Sequence, residues 1–294
     1  VLNAQSYQKN QKDLLKIAAA LELIHSSLLI HDDIIDQDET RRGQDSVWQN
    51  YTKFAIKNNY KNTTNYGQSL AICLGNVLNY LANLALSELN TLSLPTTKQI
   101  QKTVNQEIIK TNFAEMLDSQ ITLQNDLPTK KQVLEMYLYK TARYTFSLPL
   151  QLAGTINQLS DNQIGNLVSI GENLGLIFQI KDDEISLFNT VEESGKSFAS
   201  DIKEGKKTLF YLYLLENAKP EEQVFLANNL GNRAIKPDAI QKIQSLFRQY
   251  SQEKITSKIK ELEKNAQIEI QKISSEALKK LLSELLAFNL QRKT

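Results

Sequence analysis

Three carboxylates open the chemistry of this chain. His31-Asp32-Asp33-Ile34-Ile35-Asp36 closes a long apolar stretch, with Asp32 and Asp36 four residues apart and so on one face of a helix. Anions crowded at a helix C-terminus repel one another and oppose the dipole, so a cation must offset them. Hard oxygen donors at this spacing suit Mg2+, which takes one or two carboxylates and completes its shell with water and phosphate oxygens. Arg41-Arg42-Gly43 follows, two guanidiniums able to grip phosphate oxygens in bidentate fashion. A second acidic pair, Asp182-Asp183, ends another apolar stretch, and Lys140-Thr141, Lys196, Lys206 and Lys207 supply further basic groups. A solvated helix end is the bland explanation of either acidic cluster. Two such clusters at the mouths of two apolar helices, each followed by a basic loop, describe a metal-bridged diphosphate site above an apolar cavity.

The elements that must position these groups are helices. Gly and Pro make up only fifteen of 294 residues, where an ordinary soluble chain carries roughly 12% of the two. That scarcity disfavours sandwiches and barrels. Apolar residues recur at helical spacing over Gln11–His31, Leu70–Leu89, Ile100–Leu123, Lys131–Leu152 and Gln163–Leu187. The same spacing predicts helices over Thr208–Asn217, Pro220–Leu230, Asp238–Tyr250 and Thr256–Leu290. Pro95, Pro128, Pro220 and Pro237 fall between segments, whereas Pro149 lies inside one and predicts a kink or break. No strand alternation is evident. Lys53–Tyr66 is expected to be a polar surface loop and Asn189–Lys207 a phosphate-binding loop.

The expected architecture is all-α, a single-domain helical bundle over residues 1–294 around a central apolar cavity. Charge is nearly balanced at +1, which gives no global field for nucleic acid or an anionic membrane. One cysteine, Cys73, rules out an internal disulfide and is expected to be buried. No apolar run approaches the roughly 20 residues that span a bilayer, so a soluble, cytoplasmic protein is expected.

The ordered motifs resemble the trans-prenyl (polyprenyl) diphosphate synthases. Leu29 to Asp36 with Arg41-Arg42-Gly43 matches the family's first aspartate-rich motif, and Phe178-Gln179-Ile180-Lys181-Asp182-Asp183 its second. Lys140-Thr141 matches the Lys-Thr pair. Gly195-Lys196, Ser200-Asp201 and Glu204-Gly205-Lys206-Lys207-Thr208 match the lysine loop, and Leu286–Thr294 with Arg292 the last helix. The resemblance implies an isoprenoid-synthase fold and the condensation of isopentenyl diphosphate with geranyl, farnesyl or geranylgeranyl diphosphate. It implies Mg2+, three ions with substrate bound, held by Asp32, Asp36 and Asp182 with Asp33 and Asp183 beside them. Arg41, Lys140, Lys196 and Lys206 would bind the allylic diphosphate, and His25 and Arg42 the isopentenyl diphosphate. Thr141 and Gln179 would lie beside the reacting carbons. A homodimer formed through the helices over 70–89 and 100–123 is also implied.

Several positions depart from the pattern. The family carries a Gly-Lys-Arg segment upstream of the first aspartates; the sequence opens at Val1-Leu2-Asn3-Ala4, and that segment is expected to precede Val1. Ser186 replaces the last aspartate of the second motif, and Asn76 and Glu115 stand where the family has Asp and Gln. Product length is expected to follow from Ser27 and Leu28, one turn below Asp32, with Ile24 a further turn down. No bulky aromatic occupies that level, which predicts a product of twenty carbons or more. A class I terpene cyclase is disfavoured because Thr190 stands where its second motif needs Glu. A partner-dependent, non-catalytic subunit of a hetero-oligomeric synthase is the remaining alternative.

Overall fold

The computed structural model describes residues 4–188 and 199–292, with side chains from Asn10 onward. The first helix, α1 (Ala4–Ile35), buries Ile17, Ala20, Ile24, Ser27, Ile30 and Asp33, one stripe at three- and four-residue steps. A short hairpin pairs β1 (Thr40–Arg41) with β2 (Gln44–Asp45). Its two turn residues, Arg42 and Gly43, both have positive φ, 52° and 73°. Then come α2 (Val47–Lys57), α3 (Thr63–Ser87) and α4 (Leu94–Leu123). Ser93 caps α4 by accepting from the Thr96 amide, and Pro95 occupies its first turn.

A long hairpin partner follows as α5 (Lys130–Tyr137), a π-helical segment (Leu138–Ser147) and α6 (Leu148–Ile156). Pro149 does perturb this helix. It lacks an N–H, its ring excludes the usual turn, and the segment before it widens until the Leu148 amide bonds the Arg143 carbonyl five residues back. The chain continues through α7 (Asp161–Phe188), α8 (Ser200–Glu204), α9 (Leu209–Leu215), α10 (Pro220–Asn229), α11 (Pro237–Tyr250), α12 (Gln252–Gln271) and α13 (Glu276–Gln291).

Two apolar cores flank the central cavity. One surrounds α7 with Leu174, Ile177, Ile180, Phe210 and Phe247; the other joins α1, α3, α4 and α6 through Ile17, Ile24, Ala82, Ile100, Val104 and Leu148. Helices α1 and α3 run antiparallel and touch at Gly75, where an added Cβ would stand 2.3 Å from His31 Nε2. On α7, Gly171 and Gly175 admit the π-segment at backbone distance: a Cβ on Gly175 would lie 2.3 Å from Ala142 Cα.

The structure corrects several sequence expectations. The predicted helix over Thr256–Leu290 is two helices, α12 and α13, parted where Ser275 caps the second. Much of the predicted loop over Lys53–Tyr66 is helical, and a short hairpin exists where no strand was expected. Cys73 is exposed, because the face of α3 that carries it turns away from α1. By length and composition, Asn10–Ile35 and Thr63–Ser87 could cross a bilayer, each with a mean hydropathy of 1.5, contrary to the expectation of no such run. Core helices of soluble proteins pass the same test, and α1 and α3 each lay a face against the protein interior.

Candidate active site

The C-terminal ends of α1 and α7, the π-segment, the middle of α4 and the chain after α8 meet around one cavity of about 480 Å³. Asp32 and Asp36 from α1 and Asp182 from α7 line it together with Lys140, Thr141, Gln179 and Lys206. The two acidic runs, 150 residues apart from Asp32 to Asp182, therefore face a common space, as the sequence predicts.

Asp32, Asp36 and Asp182 each already have a basic partner. Arg41, delivered by the hairpin, bonds Asp32 at 2.9 Å and Asp33 at 2.6 Å. Lys140 reaches Asp118 at 2.6 Å, Glu115 at 3.1 Å and Asp32 at 3.3 Å. Lys206 bonds both carboxylate oxygens of Asp36 at 2.8 Å. Arg292, from the end of α13, bonds Asp182 at 3.1 Å and lies 4.0 Å over the Phe178 ring. Burial favours a neutral amine, yet Asp118 and Asp32 hold Lys140 well above the ordinary lysine range, and Asp118 and Asp36 do the same for Lys206. Both are ammonium ions. Burial pushes Glu115 up to about 7 and Glu204 up to about 9.

The reacting centre implied by the sequence is built by two hydrogen bonds. Thr141 donates to Gln179 Oε1 at 2.7 Å, and Gln179 donates through Nε2 to Asp183 at 2.9 Å, which fixes the amide so that its oxygen faces Thr141. Tyr137 donates its hydroxyl to the other oxygen of Asp183 and accepts from the Leu209 amide at 3.3 Å. Asp183 is thus enclosed among protein partners, and burial pushes its carboxyl well up. Asp33 is similarly enclosed. It is 3% exposed, is not among the cavity-lining residues, and burial raises it to about 6 against the pull of Arg41. In this arrangement Asp33 anchors Arg41 and Asp183 anchors Gln179, and of the two only Asp183 lines the cavity.

His25 and Arg42 line the cavity on the α1 side. Burial, helped by Arg42 and Arg41, keeps the imidazole below its usual range, and its ring stands 5.9 Å from that of Tyr144. Of the three chain-length residues, only Leu28 reaches the cavity wall. Ser27 instead donates to the Gly75 carbonyl at 2.8 Å and is 2% exposed, because its helix face is the one pressed against α3; Ile24 is packed in the adjoining core. Lys196 lies outside the described residues. Lys207 turns away to the carbonyls of Gln124 and Asp126 and pins the α4–α5 connection. Ser186 pairs with the Ser200 hydroxyl at 2.9 Å, and Asn76 is exposed on α3. The α4 contribution, Glu115 and Asp118, has as its sequence signal the run Glu107, Thr111, Glu115 and Asp118 along one helix face.

A divalent ion fits this donor set. Nine carboxylates line the cavity against six lysine and arginine side chains, so a diphosphate would add negative charge to an already acidic pocket. The helix C-termini add more. Among the described residues no three candidate ligands converge on one point, which suits an ion held jointly by protein and phosphate oxygens.

Comparison with known proteins agrees with this geometry. The family model described as polyprenyl synthetase matches residues 1–247. The chain is 30% identical over 281 residues to geranylgeranyl diphosphate synthase of Saccharolobus solfataricus, covering 95% of this chain and 80% of that one. It is 30% identical over 278 residues to the Sulfolobus acidocaldarius protein of the same name, covering 94% and 79%. Among solved structures, geranylgeranyl pyrophosphate synthase from Corynebacterium glutamicum, complexed with isoprenyl diphosphate and magnesium, superposes with a TM-score of 0.89 at 26% identity, covering 96% of this chain and 80% of that one. With the acids, lysines and helices in that family's order and arrangement, the chain belongs to the polyprenyl synthetases.

Proposed function

We infer that the protein condenses isopentenyl diphosphate with an allylic diphosphate to give a trans-prenyl diphosphate of about twenty carbons. Neither the terpene cyclase nor the non-catalytic subunit is favoured by the relatives, which are named as geranylgeranyl and short-chain isoprenyl diphosphate synthases. The observation that carries the inference is the convergence of Asp32, Asp36 and Asp182, from two helix C-termini, on one cavity with Lys140 and Lys206.

Asp32, Asp36 and Asp182 would hold the divalent ions, Mg2+ in this reading and three of them by the family resemblance. Bound Mg2+ supplies neutralisation of the departing diphosphate. Lys140 and Lys206 are ammonium ions aimed at the same space and bind the diphosphate oxygens, with Arg41 completing the grip from the hairpin. Their charge stabilises the leaving group as the C–O bond lengthens. Thr141 and the Gln179 carbonyl present oxygen dipoles beside the allylic carbon, held in register by Asp183 and Tyr137. His25 and Arg42 face the cavity from the other side and orient isopentenyl diphosphate, whose double bond attacks the allylic cation. The proton then lost passes to the released diphosphate.

A cytoplasmic homodimer belongs to the same reading. Tyr80 and Leu84 on α3 and Ile109, Phe113 and Met116 on α4 are exposed apolar side chains on two neighbouring helices, a surface suited to a second copy.

The test is incubation of the purified chain with labelled isopentenyl diphosphate, farnesyl diphosphate and MgCl2, with product length read by chromatography after dephosphorylation. Twenty-carbon product, abolished by EDTA, is expected. No incorporation by the chain alone, but incorporation on adding a partner subunit, would overturn the reading.

A further inference from the structure

The tip of the α2–α3 hairpin has a composition that the condensation reaction does not explain. Between Asp45 and Glu88 the chain has no acidic residue, but it has Lys53, Lys57 and Lys61. Phe54, Ile56 and Tyr60 are 50%, 59% and 47% exposed at this tip. The rings of Phe54 and Tyr60 stand 6.1 Å apart edge to face, and those of Tyr60 and Tyr66 5.2 Å, so the aromatic surface is continuous. Two left-handed asparagines, Asn59 and Asn62, and the Tyr60 amide bonded to the Ala55 carbonyl fold the turn tightly and hold the rings outward. Lys53 is paired with Asp45, whereas Lys57 and Lys61 are exposed and form no ion pair among the described residues.

Its position follows from the helix directions. Helix α3 runs antiparallel to α1 and meets His31 at Gly75. At 1.5 Å per residue, Asp36 stands about 7 Å above that level and Tyr66 about 13 Å. The tip therefore projects about 6 Å past the acidic mouth of the cavity, at the same end of the molecule.

We propose that this tip docks the protein on an anionic lipid surface, with Lys57 and Lys61 at the headgroup phosphates and Phe54, Ile56 and Tyr60 in the interfacial layer. Aromatic rings and lysine stems are suited to that layer, and juxtaposed lysines are drawn to anionic lipid. A second copy is a poorer occupant: a two-fold contact here would set the lysines of one subunit against those of the other, with no acid in the segment to answer them. The exposed stripe at Tyr80 and Leu84 begins about 20 Å further along α3 and serves that purpose instead. The proposal rests on surface composition and does not depend on product length.

The test is co-sedimentation of the full chain with phosphatidylcholine vesicles, with and without phosphatidylglycerol, at low and high salt. Binding to the anionic vesicles alone, weakened by salt, is expected. The Lys57→Glu/Lys61→Glu pair should weaken it roughly thirtyfold, and Phe54→Ser/Ile56→Ser by about tenfold. Both pairs change exposed positions outside the cavity, so melting temperature and turnover of water-soluble substrates should match wild type. Equal binding to neutral vesicles, no vesicle binding, or binding unmoved by either pair would overturn the proposal. So would a change of oligomeric state in either pair, which would assign the tip to a contact between copies.

Discussion

Replacing Gly175 by Ala tests whether the π-segment must lie at backbone distance from α7. The added Cβ would fall 2.3 Å from Ala142 Cα and 2.4 Å from its Cβ. Carbon atoms rest at about 3.5–4.0 Å, so the two segments must part by more than about 1 Å. Ala142 is fully buried and its neighbour Thr141 spans to Gln179, one turn beyond Gly175, at 2.7 Å. A displacement of that size breaks this hydrogen bond. Overpacking of a core contact costs about 1–3 kcal/mol, while Ala improves helix propensity by about 1 kcal/mol over Gly. The net loss of stability is thus small, about 0–2 kcal/mol. The catalytic loss is larger, because a misplacement of about 1 Å at a reacting centre can reduce the rate by about 100-fold. Gly165→Ala on the same helix is the control: an added Cβ there meets nothing within 4 Å, so full activity and an unchanged or higher melting temperature are expected. Incorporation of labelled isopentenyl diphosphate and thermal melts measure both. Wild-type turnover in Gly175→Ala would refute the role assigned to this contact.

Three further outcomes are expected. Asp13 is fully buried and one of its oxygens accepts from the amides of Asn90, Thr91 and Leu92 at 2.9, 2.7 and 3.1 Å; Asp13→Ala should cost about 3 kcal/mol in urea unfolding. Burial raises this carboxyl but the three amides outweigh it, so its folded value lies below 3.8; its contribution is complete above that pH and fades as pH falls through the lower folded value, and an acid midpoint shared by wild type and variant would contradict it. Glu115 is displaced upward, from 4.5 to about 7, chiefly by burial, so wild type should lose stability relative to Glu115→Gln as pH rises through that interval, and parallel stability–pH curves would exclude the effect. Calorimetry should show inorganic diphosphate and Mg2+ binding far more tightly together than either does alone; equal diphosphate affinity with and without Mg2+ would count against the metal assignment.

Much of the fold was legible because long helices write a strong period into the sequence. The stripe over Ile100–Leu123 marks the body of α4, although its first turn begins earlier, at Leu94 with Pro95 inside it, and the apolar stripes of α1 and α7 end at the acids they position. What stayed hidden depends on tertiary contact. Nothing local distinguishes Asp33 from Asp32; burial against Arg41 and Trp48 does, since Trp48 Nε1 donates to the Asp33 carbonyl at 3.1 Å. Ser27 lies on the face of α1 that meets α3, and only the close approach at Gly75 reveals it. Tyr137 has the period of a core residue, and its hydroxyl finds Asp183 through the crossing of two helices far apart in sequence. Pro149 announced a break, but the conversion of a whole ten-residue stretch to wider turns reflects its packing on Gly171 and Gly175 as well.

The same charges explain why diphosphate and metal should arrive together. In the protein alone, Lys140, Lys206, Arg41 and Arg292 are spent on Asp118, Asp36, Asp32 and Asp182. An ion approaching those aspartates must displace ammonium or guanidinium groups, which would then face one another in a partly buried cavity. A diphosphate approaching alone finds its basic partners occupied and nine carboxylates around it. Were both to enter, Asp32, Asp36 and Asp182 would hold the divalent ions in place of their basic side chains, and the released lysines and arginines would meet phosphate oxygens. No charge is left buried and unpaired, the condition under which desolvation is least costly. In the proposed reaction the surplus of acids would thus serve selectivity as well as metal affinity, since it disfavours an anion that comes without its cations.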